Sequence, residues 1–193
     1  MGQAERGFTL VELLVVMAIS AILAAIAVPA FQSVIQRNQA DSVAMDLTGA
    51  LNLTREEAIR TRGYMAICPR GVTADGLPSD FCSSDGTRSV HDWSHGWLVL
   101  NLSDTGSITD CPTSSNTTVV RIYDAPDPTA QRIRVTANST SGACVKFHPL
   151  GYPAPGMSGM TFTVAFPVVG KVSCLVLAAT GRLRRADRTG SEC

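Results

Sequence analysis

The sequence lacks the patterns that most enzymes and metalloproteins need. Its 193 residues contain no C-x-x-C pair, no G-x-x-x-x-G-K-[ST] phosphate loop and no G-x-S-x-G nucleophile turn, the usual signs of zinc, nucleotide and hydrolase sites. Only 17% of the residues are charged and 45% are hydrophobic, a balance that excludes general disorder. We therefore expect an assembly or binding protein, with no catalytic residues, cofactor or metal.

Two polar clusters are the remaining candidates for a metal site. His91 and His95 are four residues apart, but they lie in a Gly/Ser-rich stretch without helical periodicity. Asp75, Asp80 and Asp85 share one loop, without the spacing or terminal Glu of an EF-hand. Packing and solvation are the favoured roles for both clusters.

Lysine is scarce, with two Lys against 14 Arg, and the zero net charge conceals a division along the chain. Residues 71–127 contain eight Asp and two Arg, whereas residues 128–193 contain eight basic and two acidic residues. A neutral chain divided in this way can still present a basic surface to a partner.

Residues 8–31 form an apolar run whose only charge is Glu12. About 20 such residues cross a bilayer as a helix, and a carboxylate at membrane depth is costly. A short polar leader, residues 1–7, precedes the run, and no small-residue cleavage motif follows it, unlike a secretory signal. Arg6 in the leader favours a cytoplasmic N-terminus, which predicts a single-pass inner-membrane protein with a periplasmic C-terminal domain.

Residues 7–12, GFTLVE, with the apolar helix after them, resemble the class III signal of type IV pilins and type II secretion pseudopilins. The resemblance implies cleavage between Gly7 and Phe8 by prepilin peptidase, N-methylation of Phe8, and a role for Glu12 in filament assembly. It also implies a final location in the pilus fibre, at or near the tip.

The pattern after the membrane segment predicts an amphipathic helix over residues 32–62 that ends at Gly63. Small and apolar residues recur on one face of it: Ala40, Val43, Leu47, Ala50, Leu51, Thr54 and Ala58. Residues 63–193 then read as a β-rich domain whose loops include 69–94 and 149–159. The predicted strands are 64–68, 96–100, 118–123, 131–136, 143–147, 161–166 and 172–179. The expected fold is α+β, with the long helix packed on an antiparallel sheet or sandwich.

Four further motifs, in order along the chain, are similar to the GspH/FimT family of minor pilins and pseudopilins: residues 54–60 (TREEAIR), 64–69 (YMAICP), 93–97 (WSHGW) and 181–185 (GRLRR). The resemblance, strongest to FimT/FimU-type minor pilins, implies a type IV pilin-like fold. It also implies a role in priming or capping pilus assembly, with other minor and major pilins as partners. The alternative is a GspH-type minor pseudopilin of the type II secretion system.

The densest basic cluster lies near the C-terminus and consists of Arg182, Arg184, Arg185 and Arg188. Arginine binds phosphate bidentately, and alternation places Arg182 and Arg184 on one side with Leu183 inward. The cluster also resembles the G-R-x-R element through which FimT-type pilins bind DNA during uptake. It predicts weak, sequence-independent DNA binding for natural transformation; a solvated basic turn is the alternative.

Six cysteines follow the membrane segment, where an oxidising periplasm lets disulfides persist. The sequence does not choose among the possible pairings. Proximity along the chain suggests Cys68–Cys82, Cys111–Cys144 and Cys174–Cys193.

Overall fold

A computed structural model describes residues 9–73, 75–83, 92–102, 117–126, 133–138, 144–167, 170–189 and 193. Leader residues 1–7, Phe8, Asp85, His91 and Cys111 lie outside the described residues, so the predictions that concern them stay predictions.

One helix, α1, runs from Leu10 to Thr61, about 78 Å at 1.5 Å per residue. Thr9 caps its start, because the Thr9 hydroxyl accepts a hydrogen bond from the Glu12 backbone N–H at 3.2 Å. The left-handed residue that ends the helix is Arg62 (φ 52°), not the glycine expected to stop it, and the Arg62 N–H donates to the Ile59 carbonyl. The helix thus ends one residue earlier than predicted.

Nine strands follow α1 within the described residues and form two antiparallel sheets. The first sheet has the order β2-β1-β3-β4, with β6 also paired to β1, and the second has the order β5-β7-β8-β9. The strands are β1 Tyr64–Val72, β2 Pro78–Cys82, β3 Trp97–Leu102, β4 Thr117–Tyr123, β5 Arg134–Asn138, β6 Val145–Phe147, β7 Thr161–Phe166, β8 Lys171–Leu177 and β9 Leu183–Thr189.

Both sheets bury side chains against the second half of α1. All seven residues of the predicted apolar helix face are buried, so that prediction is confirmed. Six of them, all except Thr54, share one core with Phe147 of the first sheet and Phe162 of the second. Trp93 closes the core, with its ring edge-on to Phe162 at a centroid distance of 5.0 Å. The core therefore consists of one helix face and one face from each sheet.

Two strands depart from the sequence prediction. Strand β2 lies inside the predicted loop 69–94, at the edge of the first sheet, where most of its residues are exposed. A disulfide from Cys82 to Cys68 of β1 and a hydrogen bond from Arg70 Nε to the Ser79 carbonyl (3.1 Å) hold it there. Strand β9 contains most of the basic cluster and forms the edge of the second sheet.

Candidate nucleic-acid interface and assembly segment

The basic cluster begins at the turn between β8 and β9. Steric crowding explains why this turn contains a glycine. Gly181 has φ +77°, and a Cβ on it would lie 2.3 Å from the Gly151 carbonyl oxygen and 3.1 Å from Arg55 Nε. Arg55 Nε donates to that same carbonyl at 2.8 Å. Two of the family-like motifs, on α1 and at the β8–β9 turn, therefore meet in space, and only glycine fits between them.

Arg182 and Arg184 directly follow this turn, and both are exposed. Leu183 between them is partly buried against the main core, as the alternation predicted. Neither arginine forms an ion pair with a described residue. The structure thus presents two guanidinium groups, without an ion pair to a described residue, on a fixed turn and strand.

Arg185 has a different role from its neighbours. Its guanidinium contacts Asp41 of α1, and its Nε donates to Asp187 Oδ1 at 3.0 Å. Lys171 Nζ binds both oxygens of Asp41 at 2.7 Å, and the Ser173 hydroxyl donates to Asp187 at 2.6 Å. These five residues, the α1–β9 charge cluster, join the helix to the second sheet. Arg185 was predicted to contact DNA; it is exposed, and its guanidinium is also ion-paired with Asp41 and Asp187.

Both carboxyl groups of this cluster are stabilised in their charged form. The hydrogen bond from Lys171, together with Arg185, lowers the pKa of Asp41 against an opposing effect of burial. The hydrogen bond from Ser173, together with Arg185, lowers the pKa of Asp187 in the same way. In the α1–β9 charge cluster, charge pairing and hydrogen bonding therefore affect the pKa of both carboxyl groups more than desolvation does.

Arg188 and the C-terminal cysteine lie near each other. Arg188 Nη1 donates to the Cys193 main-chain oxygen at 3.4 Å. The Cys174–Cys193 disulfide, one of the pairs that chain proximity suggested, holds Cys193 on β8 with a Cα–Cα distance of 5.7 Å. Cys68–Cys82 is also present, and Cys144 is disulfide-bonded. Its predicted partner, Cys111, lies outside the described residues.

Two of the candidate metal residues, Asp80 and His95, have contacts of other kinds. Asp80 pairs with Arg70 at 3.1 Å, and Asp92 lies 3.8 Å from His95 Nδ1. Within the described ranges, no three His, Cys, Asp or Glu side chains group closely enough to hold a metal ion.

The first half of α1 is the candidate assembly segment. The stretch Leu10–Val28 has a mean hydropathy of 2.7, enough to cross a membrane, and none of it is buried within the protein. Its large side chains are more than half exposed, for example Leu10 (74%) and Ile26 (69%). Glu12 lies one turn from the described start of the chain. Such an apolar surface requires cover from lipid or from other helices.

Three residues of the site were missed at the sequence level. Asp41 and Lys171 are 130 residues apart and meet only because β8 packs on α1. Arg55 belongs to a motif quoted above, yet nothing in the sequence places it beneath Gly181. The sequence offered one signal for Asp41: it is an acidic residue beside Ala40, at the edge of the apolar helix face.

Helix, sheets and apolar N-terminal segment together define a type IV pilin-like protein. The type IV minor pilin FimU of Pseudomonas aeruginosa has the same fold, with a TM-score of 0.52 and 19% identity over 78% of this chain and 90% of FimU.

The family described as Type II transport protein GspH matches residues 43–181, and the Prokaryotic N-terminal methylation motif matches residues 2–28. The chain belongs to the GspH family, which confirms the family predicted from the motifs. It is also similar to type IV major fimbrial proteins FimA of Dichelobacter nodosus. One is 39% identical over 91 residues, 47% of this chain and 56% of that protein. Another is 35% identical over 118 residues, 56% of this chain and 71% of that protein.

The α1–β9 charge cluster predicts a pH dependence of stability. A carboxyl whose pKa is lower in the folded than in the unfolded chain stabilises the fold above its unfolded pKa, about 3.9 for Asp, and loses this contribution as pH falls through the folded value. We expect Asp41→Asn to cost about 1 kcal/mol at pH 7, since the pair is partly solvent-screened. The variant should also lose less stability than wild type between neutral pH and about pH 3.

Thermal unfolding of the full chain in detergent, at both pH values, measures this difference. Asp46→Asn is the matched control, because it removes one charge from the same helix at an exposed position without an ion pair to a described residue. Equal acid sensitivity in Asp41→Asn and wild type would contradict the assignment.

Proposed function

We propose that this protein is a minor pilin of a bacterial type IV pilus that primes or caps pilus assembly. Residues 1–7 are the leader, 8–31 span the inner membrane, and 32–62 continue the helix into the periplasm, where residues 63–193 fold. The uncovered apolar half of α1 supports this proposal most directly. The first half of the helix is apolar around its circumference, and the second half is apolar on one face only. Such a helix can pass from a membrane into the helical core of a filament.

The partners in this proposal are prepilin peptidase, the inner membrane, and other minor and major pilins. Prepilin peptidase cuts between Gly7 and Phe8, and the new Phe8 amine is methylated. Glu12 then meets such an amine on a neighbouring subunit, where apolar surroundings strengthen their attraction. Pilins and pseudopilins are structural proteins, and we propose no enzymatic activity for this one.

A GspH-type minor pseudopilin of the type II secretion system is the second candidate, and the description of the matching family favours it. The FimA relatives and the fold of FimU favour the pilus. Gene neighbourhood separates the two, because pilus genes or secretion genes would lie beside the coding sequence.

We further propose that the protein binds DNA through Arg182 and Arg184, with Arg188 contributing and Arg185 holding the strand to α1. The observation that carries this proposal is the exposure of two guanidinium groups without ion pairs in the described structure. The Gly181 turn and the Cys174–Cys193 disulfide fix the segment in advance, which lowers the ordering cost of binding.

Processing is the first prediction from this function. We expect the mature chain to start at Phe8, because residues 7–12 match the prepilin signal and no secretory cleavage motif follows the apolar run. Intact-mass measurement on protein purified from membranes decides the point. A mature product that still carries residues 1–7 would refute the leader assignment.

Glu12 provides the second prediction. Glu12→Ala should insert into the membrane as well as wild type, since it removes a carboxylate with an insertion cost of about 2.5–3.5 kcal/mol. Its incorporation into sheared filaments should fall strongly, because the Phe8 amine loses its partner. Val11→Ala shortens a neighbouring exposed side chain and keeps the carboxylate, so it is the control. Normal incorporation of Glu12→Ala would exclude the proposed pairing.

DNA binding is the third prediction. Full-length protein in nonionic detergent should bind a short duplex weakly and independently of sequence, with a log–log salt slope of about −2 to −4. Arg182→Gln with Arg184→Gln should reduce the magnitude of that slope by about 1.8. Arg60→Gln with Arg121→Gln changes the net charge equally at exposed positions elsewhere, and should bind like wild type. If the site variant binds as well as its control, the assignment is wrong.

A further inference from the structure

An exposed aromatic ring lies in the loop between β6 and β7, beside the arginine cluster. Tyr152 is 39% exposed, and its ring stacks on the ring of His148, with a centroid distance of 4.5 Å and an angle of 10° between the two planes. Tyr64 meets the same His148 ring edge-on at 5.2 Å. We call these three rings the Tyr152 stack, and Tyr152 is its most exposed member.

The loop around Tyr152 is held in one conformation by its own hydrogen bonds. The His148 N–H donates to the Tyr152 carbonyl at 2.9 Å, and the Gly151 N–H donates to the His148 carbonyl at 2.7 Å. The Leu150 N–H donates to His148 Nδ1 at 3.2 Å, which fixes the orientation of that ring. Gly151 has φ +81°, and a Cβ on it would lie 2.6 Å from Ile59 Cδ1 of α1. The loop is therefore fixed against the helix, and the Tyr152 ring needs little further ordering to bind a ligand.

The Tyr152 stack and the arginine turn are neighbours because Gly151 and Gly181 are in contact. A Cβ on Gly181 would lie 2.3 Å from the Gly151 carbonyl oxygen, and Arg55 Nε donates to that oxygen at 2.8 Å. Tyr152 and Arg182 are the next residues along the chain, so their Cα atoms lie within about 10 Å of each other. A nucleotide whose base covers Tyr152 therefore has its phosphates within reach of the Arg182 side chain.

The surroundings of the Tyr152 stack carry a surplus of positive charge. Residues 55–64, 148–152 and 181–184 contain five arginines and two glutamates. One of these glutamates, Glu57, is ion-paired with Arg60. A nucleotide matches such a surface, because its phosphate binds guanidinium groups while its base stacks on an aromatic ring. The surplus charge thus favours a nucleic acid over an apolar protein surface as the ligand of the exposed ring.

Stacking on a side chain requires a base whose face is free. In a duplex the faces of each base are covered by the neighbouring base pairs, and a base must leave the stack before a protein can contact them. Single strands present their bases directly, and aromatic side chains bind them with little regard to sequence, because every base has a π-face. The Tyr152 stack therefore adds a preference for unpaired bases to the phosphate contacts of the arginines.

We propose that Tyr152 is a stacking site for an unpaired nucleobase, and that the protein binds single-stranded DNA at the Tyr152 stack and the neighbouring arginine turn together. This inference rests on the proposed DNA binding through Arg182 and Arg184, and it adds the class of DNA that the site recognises. The arginines contact the phosphates of single strands and duplexes alike, whereas Tyr152 contributes only where a base is free.

The test measures binding of the full-length protein in nonionic detergent to two labelled probes, an oligothymidylate of about 12 nucleotides and a duplex of the same length. Tyr152→Ala should weaken binding of the oligothymidylate roughly five- to fiftyfold, the effect of losing one stack between a base and an aromatic ring. The log–log salt slope should stay unchanged, because no phosphate contact is lost. Duplex binding should equal that of wild type.

Two control variants isolate the ring at position 152. Tyr152→Phe keeps the ring and should bind both probes like wild type. Phe81→Ala removes another ring, 58% exposed on β2 of the first sheet, and should also bind both probes like wild type. If thermal unfolding shows that Tyr152→Ala does not fold, Tyr152→Leu decides. That variant keeps apolar bulk without a ring, and it must lose affinity for the oligothymidylate.

The outcomes separate this inference from the function on which it rests. Unchanged oligothymidylate binding in Tyr152→Ala, with weaker binding in the Arg182→Gln, Arg184→Gln variant, overturns the stacking site and leaves DNA binding at the arginines. Equal losses for both probes in Tyr152→Ala would mean that the ring only supports the turn, and the inference would be wrong. Absence of wild-type binding to either probe at low salt overturns both. If Tyr152→Ala keeps DNA binding but loses a purified partner pilin, the ring contacts protein, which also overturns the inference.

Discussion

The structure depends on one helix that must satisfy two different surroundings. Over Leu10–Val28 the helix is apolar apart from Glu12 and buries nothing within the protein. From Ala40 onward only one face is apolar, and that face is completely buried against two sheets. Because α1 is continuous between these parts, the position of the folded domain is fixed relative to the apolar segment. Any movement of the sheets along the helix would expose the core residues that they cover.

The same helix also decides which arginines remain available to a ligand. Asp41 draws Arg185 and Lys171 toward α1, and Arg55 holds the Gly151 carbonyl beside the Gly181 turn. Strand β9 is thereby set with its odd-numbered residues inward, and alternation places Arg184 and Arg188 outward. The charge cluster is therefore more than a contribution to stability, since it sets which side of β9 faces solvent.

The sequence predicted the structure correctly where a single physical rule, such as helical periodicity, determined it. The helix face was predicted residue by residue, because helical periodicity and burial agree from Ala40 to Ala58. Sequence prediction failed at β2 because Pro and Asp are depleted in strands. A disulfide and the hydrogen bond from Arg70 hold this strand in place instead. Within the site, Arg182 and Arg184 stood out as a dense cluster. Tyr152 did not, because its proximity to Arg182 depends on the contact between Gly151 and Gly181.

Net charge along the chain is a poor guide to the surface that a partner meets. The acidic stretch 71–127 contributes Asp80 and Asp124, but both bind Arg70, at 3.1 and 2.8 Å. The basic stretch 128–193 contributes Lys171, which binds Asp41, and Arg185, which binds Asp41 and Asp187. These pairs form the α1–β9 charge cluster. Pairing within the fold thus partly neutralises each block, although Asp80 and Asp124 remain exposed. Arg182 and Arg184 have no such partners among the described residues, so they contribute most to the field outside the second sheet.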